Sequence, residues 1–255
     1  MTRRIFLDIE TLPPDENVRG VVAQQVHLDQ AKKKKPVTDD VIKQLADKQF
    51  RDLSLHAEQG RLLTIGLIVE QDGRIIHHGL LGCNRKTGEF HLNEAQTLKA
   101  FWRLLKDFNP NRDLFIGHNI FDFDLLFLFK RSVVHRIKPS IDISFRRYQR
   151  QPIFDTMWEW SHWQHRISLE DLAVTLKIES SKQSDMNGSK IYDAFIEGRY
   201  SDIALYCMRD VECMREVYYR LNFIDPSPMI SYTTKASLSS DVSEAKTQLM
   251  TRIYV

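Results

Sequence analysis

The stretch RIFLDIET, residues 4–11, decides the interpretation of the fold because an apolar β-strand here runs into two carboxylates. Residues i and i+2 of a strand point to the same face of the sheet, so Asp8 and Glu10 project side by side. Like charges this close repel each other unless something screens them. A divalent metal ion, a neighbouring arginine or lysine, or plain exposure to water would do so. Exposure to water is the ordinary explanation for an isolated Asp-x-Glu pair. The rest of the chain must show whether a metal ion or a basic residue applies here instead.

Further strands and helices follow outward from this strand. Two apolar, β-branched runs about Gln71-Asp72-Gly73, within residues 61–82, predict a β-hairpin. Buried strands are also predicted over residues 113–119 and 152–157. Apolar periodicity and capping signals predict helices over residues 93–108, 121–134, 168–178 and 201–221. This order predicts an α/β fold with a mixed sheet, helices on both faces and the first strand at the centre.

Composition narrows the class of protein. The chain has 255 residues, 42% of them hydrophobic, and a formal net charge of +2, which is compatible with a nucleic-acid partner. Its three cysteines form no C-x-x-C, which argues against a disulfide framework and a zinc knuckle. No apolar run approaches the roughly 20 residues that span a bilayer. Because Met1-Thr2-Arg3-Arg4 leads directly into a strand, we expect no signal peptide, no membrane partner and a cytoplasmic location.

Two later segments carry acids in positions that resemble those of the first strand. Asp124 falls in the first turn of a predicted helix, directly after a predicted strand. Tyr206 and Asp210 are four residues apart on the last long helix, so they share one face. They lie beside that helix's apolar stripe, and an acid at the edge of a buried stripe requires a partner.

FLDIET, GHNIFDFDLLFL and YCMRDV, in this order, resemble the three signature motifs of DEDD-type 3′–5′ exonucleases. That family belongs to the DnaQ-like, RNase H-like superfamily, and the Tyr-x-x-x-Asp spacing resembles its DEDDy branch. The segments 168–178 and 185–221 are similar to stand-alone relatives of the family-B DNA polymerase proofreading domain. The resemblance covers roughly residues 3–221 and implies an RNase H-like mixed five-stranded sheet with helices on both faces.

The resemblance assigns roles to five residues. It implies that Asp8, Glu10, Asp124 and Asp210 hold two Mg²⁺ or Mn²⁺ ions and that Tyr206 orients the attacking water. Carboxylate oxygens suit such hard cations better than zinc, and two ions can clamp a phosphodiester. The family pattern of Asn, three residues and then Phe-Asp is met by Asn119 and Phe123-Asp124, which favours Asp124 over Asp122 as the ligand.

The activity implied is divalent-metal-dependent 3′–5′ hydrolysis of DNA, preferentially single-stranded, to 5′-mononucleotides. The partners implied are single-stranded DNA and DNA 3′ ends. Three alternatives stay open: an RNA 3′–5′ exonuclease, a catalytically silent nucleic-acid-binding module, and a structural partner subunit. The presence of all four acids and the tyrosine argues against the silent module.

Other residues are candidates for nucleic-acid contact, each with a structural alternative. Leu12 could wedge under the terminal base or simply pack, and His118 could be a hydrogen-bonded structural histidine. The tryptophans could stack on bases or fill the core, and the basic residues, Lys32–Lys35 among them, could contact phosphates or water. The candidates are Leu12, His118, Asn119, Arg146, Arg147, Trp160 and Trp163.

Three segments are predicted along the chain. Residues 1–222 form the exonuclease domain that the resemblance implies, and residues 13–59 form an insert within it that is partly helical over 37–50. Residues 223–255 form a Ser/Thr-rich tail without an assigned role.

Overall fold

A five-stranded mixed sheet forms the centre of the computed structural model, which describes residues 2–33, 37–84, 87–180 and 186–226. The strands are β1 (Arg3–Leu12), β2 (Arg61–Gln71), β3 (Arg74–Leu81), β4 (Leu114–Gly117) and β5 (Ile153–Asp155). Their order across the sheet is β3-β2-β1-β4-β5. The apolar first strand is therefore central, and the predicted RNase H-like α/β architecture is confirmed.

The pairing of the strands changes direction at β1. β1 runs antiparallel to β2, which forms the predicted antiparallel hairpin with β3. On its other side β1 runs parallel to β4, and β4 runs parallel to β5. The register of β1 against β2 shifts between Glu10 and Thr11, directly after the second carboxylate. A bulge of this kind bends a strand and redirects its side chains.

Eight α-helices surround the sheet within the described residues. They are α1 (Arg19–Ala31), α2 (Asp39–Asp52), α3 (Glu94–Leu104), α4 (Asp124–Val134), α5 (Thr156–Ser161), α6 (Leu169–Leu176), α7 (Ile191–Ile196) and α8 (Tyr200–Leu221). Ser168 caps α6 as its sequence predicts, because its hydroxyl accepts from the Asp171 N–H at 3.1 Å. The Asp171 carboxylate accepts from this hydroxyl, whereas in a full capping box it would accept from the Ser168 N–H. None of these helices is long and apolar enough to cross a membrane.

The two faces of β1 bury two separate apolar clusters. Phe6 and Leu12 pack in one cluster with α1, α2, α7 and α8. Ile5, Leu7 and Ile9 pack in the other with α3, α4 and α5. Asp8 and Glu10 have the same parity as Phe6 along the strand, so they project toward the face that α8 covers.

The insert is more helical than its sequence predicts. The prediction of partial helix over 37–50 corresponds to α2, but α1 was not predicted. Only Val22 and Val26 of α1 are buried, so its apolar stripe is too narrow to stand out from a polar sequence. Arg19 pairs with Asp47 of α2 at 2.5 Å, and this contact helps join the two helices. Lys34 and Lys35 of the predicted basic run, and the tail beyond residue 226, lie outside the described residues.

Helix α8 lies unusually close to the sheet at β2. A Cβ placed on Gly66 of β2 would lie 2.8 Å from the Cys207 sulfur and 3.1 Å from a methyl group of Val211. Contacts under 3.0 Å are not tolerated in close-packed interiors, so glycine at this position permits the approach. The approach places one turn of α8, the turn that carries the predicted third motif, directly over the strands.

A buried ion pair holds the C-terminal half of α8 against β2. Arg215 is completely buried, and its Nε and Nη2 atoms each lie 2.6 Å from one oxygen of Glu70. The Tyr219 hydroxyl donates to the other oxygen of Glu70. Because both carboxylate oxygens have partners, the ion pair is satisfied, and it fixes the position of α8 along the sheet.

Candidate active site

The two carboxylates of β1 lie in a cluster of acids in which Asp8 is half-buried and Glu10 is buried. Glu10 is 6% exposed. Burial raises the pKa of Asp8 well above its ordinary value, and the charges of Asp124, Glu10 and Asp210 raise it further. Burial likewise raises the pKa of Glu10, followed by the charges of Asp210 and Asp124. The four acids, which come from three separate segments of the sequence, therefore act on one another electrostatically in the folded protein.

Asp124 reaches the cluster as the first residue of α4. One of its carboxylate oxygens accepts the backbone N–H of Ile9, on the strand between Asp8 and Glu10, at 3.1 Å. Burial raises its pKa to about 7. Hydrogen bonds from its own backbone and from Ile9 oppose the shift, whereas the charges of Asp155 and Asp210 add to it. This contact ties the second motif to the first.

Asp210 and Tyr206 approach from α8. The Tyr206 hydroxyl hydrogen-bonds to Asp210, as the four-residue spacing along one helix face predicts. Burial raises the pKa of Tyr206, followed by the charges of Asp210, Glu10 and Asp8. A phenol whose pKa is raised stays protonated at neutral pH. Tyr206 is thus suited to orient a water molecule by hydrogen bonding rather than to remove a proton from it.

Cys207 belongs to the same cluster, although the sequence placed it only on the apolar stripe of α8. Its sulfur lies 3.9 Å from both the carboxylate and the backbone carbonyl oxygen of Asp8. One potential ligand atom from each of Asp8, Glu10 and Cys207 lies within 4.8 Å of the others. Burial raises the pKa of the Cys207 thiol, so the thiol is neutral and donates to Asp8. The only sequence signal was its position directly after Tyr206.

Asp155 is a second residue that the sequence analysis missed. It ends β5 and caps α5, and its two carboxylate oxygens accept backbone N–H groups from Asn119, Phe121 and Met157 at 3.0–3.1 Å. Burial raises the pKa of Asp155 to about 6, against the effect of these hydrogen bonds. Asp155 therefore holds the loop that leads into Asp124. An aspartate between an apolar strand and a helix is a capping signal that could have identified it.

A tight turn brings this loop back from β4. A Cβ on Gly117, the last residue of β4, would lie 2.5 Å from the Cβ of Ile120, so this position requires glycine. Asn119 then takes a left-handed backbone conformation with φ of 62°, which asparagine tolerates better than most residues. The side-chain oxygen of Asn119 is buried and accepts no hydrogen bond from any described residue.

The donor set of the cluster fits divalent cations of the Mg²⁺ class. Four carboxylates from three elements converge there, and their mutual repulsion contributes to the raised pKa values of Asp8, Glu10 and Asp124. Hard cations prefer oxygen ligands of this kind and would remove the repulsion. The neutral Cys207 thiol is a soft ligand that Mg²⁺ does not favour.

Two of the candidate nucleic-acid contacts have structural partners. Leu12 is 1% exposed and lies in the core with Phe6, which favours its packing alternative over a wedge under the terminal base. The two ring nitrogens of His118 lie 3.0 Å from the Thr156 hydroxyl and 2.8 Å from the Ile167 carbonyl oxygen. These contacts favour the structural alternative for His118.

The basic and aromatic candidates lie in two places. Arg146 and Arg147 are exposed, and Trp163 is half-buried, beside the loop that precedes Asp124. Trp160 instead lines a cavity near Leu221, about 16 Å along α8 from Asp210. Asp122 pairs with Arg147 at 2.7 Å, in agreement with the choice of Asp124 for the cluster.

The five-stranded mixed sheet with helices on both faces is that of an RNase H-like exonuclease fold. The chain belongs to the family described as predicted 3′–5′ exonucleases related to the exonuclease domain of PolB, whose model matches residues 53–248. The match includes Asp124, Tyr206 and Asp210, starts after Asp8 and Glu10, and continues past the predicted domain boundary at residue 222. No curated protein matches the sequence.

Proposed function

We propose that this protein is a DEDDy-type 3′–5′ exodeoxyribonuclease that hydrolyses single-stranded DNA to 5′-mononucleotides with the help of two divalent cations. The observation that carries the proposal is the cluster of four carboxylates. Asp8, Glu10, Asp124 and Asp210 come from β1, α4 and α8, and burial together with mutual repulsion raises the pKa values of the first three. An arrangement that disfavours its own ionised state is expected where a cation completes it.

The resemblance supports a division of roles among the acids. Asp8, Glu10 and Asp210 would hold one ion, and Asp8 with Asp124 would hold the second. Bound Mg²⁺ or Mn²⁺ would supply Lewis-acid stabilisation of the phosphodiester and of the 3′-oxygen that leaves. Tyr206 stays protonated beside Asp210 and orients the attacking water through its hydroxyl.

The choice of DNA, of single strands and of 3′–5′ polarity rests on the family and on the motif resemblance. The three cysteines are free thiols, which agrees with a reducing compartment such as the cytoplasm. We place the exonuclease domain at residues 1–222, with 13–59 as an insert, and the family match suggests that part of the tail also belongs to it.

The test is incubation of the purified protein with end-labelled single-stranded DNA, duplex DNA and RNA, each with Mg²⁺, with Mn²⁺ and with EDTA. A 3′ label should be released at once as a mononucleotide, and a 5′-labelled strand should shorten stepwise. EDTA should stop both reactions.

Each other outcome would change the assignment. Faster degradation of RNA than of DNA would assign the RNA exonuclease alternative. Rapid cutting of a closed circular single strand would indicate an endonuclease. Binding of DNA without any cleavage, in the presence of either metal, would indicate the catalytically silent module.

A further inference from the structure

A group of arginines and aromatic rings lies against the loop that precedes Asp124. We name it the arginine–aromatic patch, and its members are Asp122, Arg147, Tyr148, Trp158, Trp163 and Arg166. Asp122 lies two residues before Asp124, so the patch and the acid cluster share one loop. The Trp163 ring also contacts Phe121 of this loop, with ring centroids 5.9 Å apart.

The aromatic members of the patch are a stacked pair of tryptophans and an exposed Tyr148, whose ring is inclined by 58° to that of Trp163. Trp158 is buried and stacks face to face with Trp163, with ring centroids 5.0 Å apart and planes inclined by 5°. The Tyr148 ring lies 4.9 Å from Trp163 and is 76% exposed. An exposed ring that rests on other rings is a surface on which an unpaired base can stack, whatever its identity.

The arginines of the patch retain unused binding capacity. Arg147 and Arg166 pair with different oxygens of Asp122, at 2.7 and 3.7 Å. Their side chains are nevertheless 54% and 68% exposed. Because two guanidinium groups share one carboxylate, the group keeps a positive charge beside the tryptophan rings, with Arg147 5.8 Å from the Trp163 ring centroid and Arg166 6.0 Å from that of Trp158. Guanidinium groups present several N–H donors in a plane, which suits them to phosphate oxygens.

The backbone of the patch is strained. Tyr148, His162 and Trp163 have φ values of 64°, 49° and 64°, although none of them is glycine. Left-handed backbone of this kind is uncommon and costs free energy, and such strain clusters at functional sites. Tyr148 and Trp163 carry two of the aromatic rings of the patch, so the strained backbone holds these rings in place.

We propose that the arginine–aromatic patch binds unpaired nucleotides on the 5′ side of the bond that the acid cluster cleaves. Tyr148 stacks on a base, and Arg147 and Arg166 contact phosphates. A duplex does not offer a base to Tyr148, because its bases are already stacked in pairs. The patch therefore selects single strands, and this assignment rests on the proposed function.

Binding without cleavage tests the patch directly. The probe is a short 5′-fluorescein oligothymidylate in EDTA, and its affinity is measured by fluorescence anisotropy. Tyr148→Asn removes the ring but keeps a residue that tolerates left-handed backbone. Leu92→Asn is the matched control, because Leu92 is also exposed and has a left-handed φ of 52°. Leu92 comes after β3, at the edge of the sheet farthest from β5, which follows Tyr148. Tyr148→Trp keeps a ring at the same position.

Loss of base stacking should weaken binding of the oligothymidylate by Tyr148→Asn about 5- to 150-fold. Leu92→Asn and Tyr148→Trp should bind like the parent, and the affinity for a blunt duplex should not change. Binding of a matching oligouridylate should weaken in parallel, because base stacking and phosphate contacts require no particular sugar. Unchanged binding by Tyr148→Asn, an equal loss on duplex, or no binding by the parent would overturn the proposal.

The two arginines are tested through their shared carboxylate. Asp122→Asn removes the competitor for Arg147 and Arg166, so the oligothymidylate should bind more tightly. Arg166→Gln should instead bind more weakly, and the slope of log affinity against log salt should become shallower by about 0.7 for one lost phosphate contact. Weaker binding by Asp122→Asn would show that the carboxylate serves only to fold the patch, and it would overturn the role of the arginines.

A small substrate separates this proposal from the proposed function. The p-nitrophenyl ester of thymidine 5′-monophosphate has a phosphodiester but no further nucleotide. Parent and Tyr148→Asn should hydrolyse it equally with Mn²⁺, whereas Tyr148→Asn should degrade the oligothymidylate more slowly. If the parent hydrolyses neither substrate but binds the oligothymidylate through Tyr148, the nuclease assignment fails and the binding site stands.

Discussion

At the scale of single residues, the acid cluster shows whether its side chains serve the stability of the fold or its function. Carboxylates that repel one another lower the stability of the metal-free protein, so these acids do not stabilise the fold. Asp124 illustrates this, because burial raises its pKa to about 7 even though the Ile9 N–H stabilises its charged form. A group held in an unfavourable state by its surroundings is typical of sites that bind cations or perform proton chemistry.

Amide variants of the four acids test the cluster residue by residue. Asp8→Asn, Glu10→Gln, Asp124→Asn and Asp210→Asn should each lower kcat on single-stranded DNA by more than about 100-fold, the largest loss typical of residues that only support metal ligands. The physical reason is loss of a charged ligand without a change of shape. Asp107→Asn is the control and should retain the rate, because Asp107 is exposed and lies outside both the cluster and the arginine–aromatic patch. A near-normal rate in any of the four would remove that residue from the site.

Tyr206→Phe tests the mechanism more narrowly, because it keeps the ring and removes only the hydroxyl. Loss of a hydrogen bond that is made in the transition state should cost about 2.7–4 kcal/mol, or roughly 10²–10³ in rate, by analogy with oxyanion donors. The loss should appear in kcat and not in KM. Single-turnover cleavage at saturating Mg²⁺ measures it. A variant as fast as the parent would leave Tyr206 as a packing residue.

Sequence spacing identified the acids but not the residues that arrange them. Asp8 with Glu10, and Tyr206 with Asp210, are readable because strand and helix periodicity place each pair on one face. Asp155 and Cys207 are not readable in that way, because their contacts with Asn119 and Asp8 join segments that only the tertiary fold brings together. Burial of Leu12 depends in the same way on packing by α1 and α2.

At the scale of elements, α8 determines the geometry of the site. Its first half carries Tyr206 and Asp210 toward β1, and its second half is fixed to β2 by the ion pair of Arg215 with Glu70. Gly66 sets the distance between helix and sheet. A small displacement of this one helix would move two functional side chains together.

Gly66→Ala tests this dependence. Its new methyl group would meet the Cys207 sulfur, and overpacking of this kind should lower the free energy of unfolding by about 1–3 kcal/mol. The rate should fall as well, because α8 carries Tyr206 and Asp210 away from β1. Denaturant unfolding and single-turnover cleavage measure the two effects.

Two further variants control this prediction. In the double variant Gly66→Ala/Cys207→Ala the sulfur is gone, so part of both losses should return. Gly20→Ala in α1 meets nothing within 4 Å and should be neutral or stabilising by up to about 1 kcal/mol. No loss in Gly66→Ala would mean that α8 has room to move without consequence.

The elements that the sequence predicted are those with a strong internal pattern. The hairpin of β2 and β3, the capped α6 and the long α8 each carry their own signal. Helix α1 carries almost none, because only two of its residues are buried. It is helical because α2 packs against it, which is information that lies outside its own sequence.

At the scale of the whole molecule, the acids couple stability to pH. The pKa of Asp124 is about 7 in the folded protein and about 3.8 in an unfolded chain. Between these values the folded state binds more protons than the unfolded state, so the contribution of Asp124 to stability falls as pH rises and is lost above about 7. The ionised cluster is therefore least stable, without metal, at neutral and higher pH.

Asp124→Asn should remove this dependence, because the amide imitates the protonated acid. In EDTA the variant should gain stability relative to the parent as pH rises from about 4 to about 7. Added Mg²⁺ should stabilise the parent more than the variant at the upper end of this range, because it binds the ionised form. Chemical denaturation at a series of pH values measures the difference, and a constant difference would place Asp124 outside the cluster.

The order of the acids along the chain has a consequence for the newly made protein. Asp8 and Glu10 leave the ribosome first, but Asp210 and Tyr206 belong to the last helix of the described chain. Synthesis proceeds from the amino terminus, and a domain folds only when its elements are available. A nascent chain thus cannot assemble its full set of carboxylates until translation has passed α8, so a truncated translation product would hold an unfinished site.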